Sequence, residues 1–485
     1  MSVTSVTGGL YGSQLQFTST SDISGLTSAQ IRSLTARQIA GLTTTQVAAI
    51  ATDALAGLSS AQLQSLTSRV GAFTTSQIQA LSTTQLSSFT RAQIGALSST
   101  QLNALTSSQL TSLSATQVAS IDTTQLAALS TSQLVQLSTG QLRSLTAAAV
   151  AGLTSTQVAA LSTDQIAGFK VAQLKAMETA DVAALTTAQI EALSRTQVSS
   201  LTLSQLAALQ TAQMAAIEAA DLSALSVSQV SSLSASQVQA LDSDQLAGLA
   251  PSRIAALSTT AVAALSTDQL RALSRSQVMS LTNAQMIALS SEALNGLDAS
   301  QFDALTARQI AAIETADIAA LATDRIAALT TLQTTSLTTA QLRALTGGQI
   351  GAIETTDLAA LRKTHWDAFR TDQVTSFSTD QISSLRRASL TLLSTGTVAA
   401  LTTDQIAALD ASRIQSLTSA QIGALSTEQL VALTTDQVLG LRPDQVADIA
   451  AGRFSALTSD QLHVLTGRQV SYLTTDQLVA LDGAS

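Results

Sequence analysis

His365 and His463 are the only side chains in the 485-residue sequence with an ordinary pKa near neutrality, and there is no cysteine. A serine–histidine–aspartate site needs a histidine within reach of a nucleophile and a carboxylate, and neither histidine lies in a motif that supplies them. G-x-S-x-G, a phosphate-cradling glycine loop, H-E-x-x-H and Cys–His metal spacings are also missing. The sequence therefore predicts a non-enzymatic protein with no catalytic residue, no metal site and no cofactor. Two clusters remain. Acidic pairs recur at Glu178/Asp181, Glu218/Asp221, Glu314/Asp317 and Glu354/Asp357. Stacked, such carboxylates would suit Ca²⁺, which takes oxygen ligands, but the glycine-rich turns of calcium-binding repeats are lacking and helix capping by Asp is the simpler reading. Arg362, Lys363 and His365 surround the only tryptophan, Trp366, in LRKTHWDA. Trp and Arg are enriched at interaction hot spots, which makes these four the candidate contact site. The alternative is that Trp366 is an enlarged core residue. His463, in SDQLHVL, reads as a surface substitution.

The elements that position these residues have a period of eight. From Leu26 the chain reads LTSAQIRS, LTARQIAG, LTTTQVAA, and the leading apolar residue recurs at 26, 34, 42, 50, 58 and 66. One octad, Leu66 to Ala72, is a residue short, and the register then holds from Phe73 to Leu481, fifty-eight leading positions in all. Large apolar residues occupy positions 1 and 6. On one continuous helix eight residues overshoot two turns by about 80°, so the apolar stripe would wind around it. On one strand the two positions have opposite parity. The chain must therefore turn within every octad.

Position 2 is nearly always Ser or Thr and position 5 nearly always Gln, the spacing of a capping box, as in Thr27/Gln30 and Thr35/Gln38. With position 2 as N-cap, positions 1 and 6 become the hydrophobic staple. Pro251 and Pro443 both fall at position 3, the first helical residue, where proline is favoured. Acids gather at position 4, among them Asp164, Asp268, Asp404 and Asp460, where they suit the helix dipole. Small residues at positions 7 and 8, including Gly57, Gly152 and Gly440, allow close approach. The predicted fold is an all-α solenoid of very short capped helices, one per octad. A parallel β-solenoid with eight-residue sides is the alternative. A single octad buries too little to offset the entropy of ordering it, so stability must come from stacking. Two octads per coil, or three, would serve, and the sequence does not choose. Long segments starting at Leu249 and Leu385 are similar and 136 residues apart, seventeen octads, so the octad is the unit of growth.

Composition follows from the repeat: 45 % apolar, 11 % charged, 2 % aromatic. A net charge of −9 with three lysines (Lys170, Lys175, Lys363) disfavours nucleic acid, whose affinity rests on clustered cations. No stretch approaches 18 uninterrupted apolar residues, so no membrane insertion is expected. Residues 1–17 depart from the pattern and read as an N-terminal cap or extended arm without the features of a signal peptide. Residues 18–481 read as one continuous solenoid and 482–485 as a tail. With no polar terminal repeat apparent, the end coil is expected to present a surface that a copy of the chain would cover.

LTTTQVAAIA (residues 42–51) is similar to the opening helix of transcription-activator-like effector repeats. Those repeats exceed thirty residues and carry a base-reading loop in basic surroundings, which this chain lacks, so the shared element is helix-start grammar. Over nearly its whole length the chain resembles low-complexity octapeptide-repeat regions, LTxxQ[IVL]xx, of bacterial secreted and surface proteins, adhesin-like or matrix-forming. The resemblance implies a structural protein exported to the cell surface without a cleaved signal and assembling, head-to-tail or laterally, into a filament, layer or adhesive stalk, with any further matrix partner unspecified. The competing expectation is an intracellular solenoid binding a protein or peptide.

Overall fold

The computed structural model describes residues 15–482. The expected N-terminal cap falls on residues 1–17, of which 1–14 lie outside the described residues, as do 483–485 of the tail. Among the described residues the chain is all-helical, without a strand, and every α-helix except Thr475–Asp482 is four to six residues long. It is an all-α solenoid with one mini-helix per octad, and the parallel β-solenoid is not realised.

Each octad folds by the same local rules. In Ser28–Ser33, Thr27 is the N-cap in extended conformation (φ −80, ψ 163); its side chain accepts from the Gln30 backbone N–H, while Gln30 Oε1 accepts from Thr27 N–H at 2.8 Å. Ala36–Ile39 repeats this with Thr35 and Gln38, at 2.7 Å. Pro251 and Pro443 are each the first residue of their helix, where no intrahelical N–H is needed. After about one and a half turns the position-1 residue becomes extended, as at Ile50 (φ −62, ψ 127), and the next N-cap follows. Positions 1 and 6 form the core: Leu34, Ile39, Leu129 and Leu134 are all buried.

The described chain forms two compact units, the first ending at Leu249 and the second beginning at Ala250. In the first, each mini-helix packs on the helix three octads away, as Ala147–Val150 does on Val171–Ala176. In the second, Ala411–Ser416 packs on Thr435–Gly440 in the same way. Side-chain hydrogen bonds in both units reach back 28 and 31 residues, between the third and fourth octads. Each coil thus holds between three and four octads, neither the two nor the three that the sequence left open. Gln109 and Gln341 each reach the joint between two octads of the preceding coil.

The octad that lacks a residue adapts locally. Thr67–Ala72 is a 3₁₀ helix, and Thr67 (φ 50) is the only non-glycine residue with positive φ among the described residues. No described glycine has positive φ. The glycines at position 8 therefore serve approach rather than an unusual backbone: a Cβ at Gly57 would run into the Ser28 backbone, one coil away.

Overpacking at such a contact costs about 1–3 kcal/mol. Gly57→Ala is expected to lower thermal stability by that amount in a circular-dichroism melt. Gly467→Ala, where nothing lies within 4 Å of the added methyl, should be neutral or slightly stabilising. Equal effects of the two would contradict this packing.

Candidate functional site

Position 5 joins one coil to the next. Gln109 Oε1 accepts from Thr106 N–H at 2.9 Å, closing the cap of its own helix. Its Nε2 donates to Ile78 O at 2.8 Å and to Leu81 O at 2.7 Å, one coil earlier. Gln341 does the same in the second unit, with Thr338 N–H at 2.8 Å, Ile310 O at 2.8 Å and Ile313 O at 2.7 Å. Both carboxamides are buried. The accepting carbonyls belong to position 6, in the last helical turn, and to position 1, which has left the helix and has no intrahelical partner. One amide thus bonds three backbone groups with both N–H donors and its oxygen, although Ile78 O accepts from Leu81 N–H as well. The pattern reaches back to Leu15 and Thr18, whose carbonyls accept from Gln46 Nε2 at 2.8 and 2.7 Å.

Replacements at position 5 show what the place demands. Arg413 Nε and Arg453 donate to Leu385 O and Leu425 O, each 28 residues back, so arginine reaches the same row of carbonyls. Ser389 Oγ reaches Ala359 O at 3.2 Å. Aspartate has no proton to give and turns instead to donors 26 residues back. Asp181 Oδ1 accepts from Ser155 Oγ at 2.8 Å, Asp317 Oδ1 from Ser291 N–H at 2.9 Å, and Asp357 Oδ1 from Thr331 Oγ1 at 2.6 Å. Glu178, Glu218, Glu314 and Glu354 are the N-caps of these helices but make no side-chain cap bond. Within each pair the helices begin five octads apart, more than one coil, so their carboxylates do not stack. No group of three His, Asp or Glu that could hold a metal ion occurs among the described residues.

Of the four residues of the candidate contact site, Trp366 and His365 are buried and Arg362 and Lys363 are exposed. Trp366 is 1 % exposed and packs against Phe369 and Phe377, with ring centroids 5.7 and 5.6 Å away; those two phenylalanines lie edge to face at 5.2 Å. Trp366 is a core residue at staple position 6, the enlarged core residue of the alternative reading, and is not itself a contact residue. His365 is also buried and replaces Gln in the box, accepting from Arg362 N–H through Nδ1 at 3.3 Å. Burial, aided by the Arg362 charge, lowers its pKa and keeps the ring neutral. Arg362 and Lys363 are exposed, and Lys363 pairs with Asp367 at 2.7 Å. His463 is exposed, its Nδ1 2.7 Å from Ser459 O.

Sequence reasoning missed three things here. It gave Gln only its local role, it did not foresee Arg as a substitute, and it passed over Thr334. Thr334 is the only polar residue at position 6 of any full octad, and that singularity was the available signal. Between coils the surface has grooves, including one of about 460 Å³ lined by Leu439, Arg442, Arg468 and Tyr472. Among the described residues no helix is long and apolar enough to cross a membrane.

The ALTTAQ repeat model matches residues 19–52, 70–107, 135–171, 174–211, 214–251, 254–283, 310–347, 350–386 and 414–451, well over half of the chain. Matches beginning at 174, 214 and 254, and at 310 and 350, are 40 residues apart, or five octads, the interval that separates the acidic octads within each pair. No curated protein matches the chain.

Two measurements check the site. Gln109→Ala leaves Thr106 N–H and Leu81 O without a partner and takes one of two donors from Ile78 O, and should cost about 2–4 kcal/mol in denaturant unfolding, against about 1 kcal/mol for loss of a cap alone. Gln109→Glu at neutral pH should cost more, because a carboxylate oxygen then faces two carbonyls. Its folded-state pKa rises, so stability returns as pH falls through that pKa. Trp366 fluorescence should be blue-shifted and resist iodide quenching; a quenchable, red-shifted emission would contradict its burial.

Proposed function

The chain belongs to the ALTTAQ repeat family, and from that premise we propose a non-enzymatic structural protein, exported to the bacterial cell surface, that self-assembles into a filament, layer or adhesive stalk. The observation that carries this reading is the self-similarity of the coil contact. One face of a coil offers Gln Nε2 donors, as at Gln109, and the other offers helix-end carbonyls, as at Ile78 and Leu81. A face of this kind is complementary to the opposite face of any copy in the same register, which is a heterologous, propagating arrangement. Composition supports the same reading: 11 % charged residues leave side surfaces of Ser, Thr and Ala able to lie against one another with little charge repulsion. Absence of cysteine makes the fold independent of the redox state of the compartment.

The partner is thus another copy of the chain. Sedimentation velocity and negative-stain microscopy of the full chain over a hundredfold concentration range are expected to show species that lengthen or widen with concentration. A single monodisperse species at the highest concentration would overturn the assembly reading. Fractionation of the native host is expected to place the protein at the surface or outside; a wholly cytosolic pool would instead favour an intracellular binding solenoid.

A further inference from the structure

Asp181 and Asp357 stand at the same octad position, each three residues after a glutamate N-cap, and both are almost fully buried (4 % and 3 % exposed). Their surroundings differ in one decisive donor. At Asp357 both carboxylate oxygens are satisfied: Thr331 Oγ1 donates to Oδ1 at 2.6 Å and Thr334 Oγ1 to Oδ2 at 3.2 Å. Thr334 is the exceptional polar residue at a core position, 23 residues before its aspartate. The residue 23 before Asp181 is Val158, which is fully buried and has nothing to donate. Ser155 Oγ reaches Asp181 Oδ1 at 2.8 Å, and Oδ2 is buried with no hydrogen-bond partner.

We propose that Asp181 is a proton-operated latch on the coil contact between Thr179–Ala183 and Ser155–Ala160. Neutral, its carboxyl is tolerated beside Val158. Ionised, it holds a buried charge with one oxygen unpaired, which is far more costly than a neutral carboxyl in the same place. Thr179–Ala183 packs against Ser155–Ala160 and Leu203–Ala208, and neither carries a titratable side chain; nor does the octad at 145–152. Glu178, on the same helix start, is the one charge acting on Asp181, and it opposes ionisation. Burial, the largest influence, raises the Asp181 pKa; the hydrogen bonds from Ser155 and from the Glu178 backbone N–H only partly offset it.

The direction of the response follows from linkage. Between the unfolded and the raised folded pKa the native state binds more protons than the opened one, so the contact is tightest below the unfolded carboxylate range. It loosens as pH climbs through the raised value and is constant above it. Each unit by which the pKa is raised changes the opening constant up to tenfold. At Asp357 both oxygens are paired, which makes that contact the geometric comparison.

Hydrogen–deuterium exchange of the full chain, corrected for the intrinsic pH dependence of exchange, tests this with the Thr355–Leu358 contact as internal control. Helices 155–160 and 179–183 are expected to lose protection from acid to neutral pH more steeply than Thr355–Leu358. Asp181→Gln, which restores the residue most octads carry, should flatten that slope and raise protection at neutral pH. Val158→Thr, which supplies the missing donor, should move the transition to lower pH. Identical pH dependence of these helices in the wild type and Asp181→Gln would overturn the proposal, and so would a well-folded Val158→Thr chain that leaves the transition in place.

Discussion

The carboxamide of the position-5 glutamine is the interaction on which this structure depends. A helix of four to six residues has more orphan backbone groups than satisfied ones, and burying its ends in a stack would ordinarily be prohibitive. Gln109, held between Thr106 N–H and the carbonyls of Ile78 and Leu81, removes that penalty at two helix ends with one side chain. Aliphatic positions 1 and 6 supply the non-directional part of the stabilisation, and the amide supplies register. Its reach of 28 and 31 residues ties each octad to the gap between the third and fourth before it, which locks the number of octads per coil.

The same constraint explains which departures the repeat accommodates. Arg413 carries donors on a longer stem and still reaches Leu385 O. Asp357 inverts the polarity of the site, and Thr331 and Thr334 supply donors to meet it. Trp366 enlarges the core at a staple position, against Phe369 and Phe377. The deletion in Leu66–Ala72 is absorbed by a 3₁₀ helix and a left-handed Thr67. Because each coil contacts only its neighbours, such irregularities stay local, as expected of a solenoid.

Much of the local structure was legible in the sequence because its causes are local. Thr27/Gln30 spacing, Pro251 and Pro443 at the first helical residue, and Leu/Ile at staple positions fix the frame within eight residues. The coil was not legible, because a bond from Gln109 to Ile78 leaves no trace at short range beyond the glutamine itself. Trp366 was ambiguous for a related reason: the phenylalanine at 377 that helps to enclose it lies eleven residues on, in another octad. Some of the family matches begin 40 residues, or five octads, apart, whereas hydrogen bonding repeats with every octad.

The contact that repeats most often in the molecule is the one that joins coil to coil, and the proposed structural role rests on it. The central claim, a coil of between three and four octads, is open to direct test because the chain has no cysteine of its own. Spin labels at Ser108→Cys paired with Thr124→Cys, Ser132→Cys or Gly140→Cys place probes at the same octad position 16, 24 and 32 residues apart. Double electron–electron resonance should give comparable short distances for the 24- and 32-residue pairs, both shorter than the 16-residue pair. A shortest distance at 16 residues, or a short one at 24 with a much longer one at 32, would contradict the account.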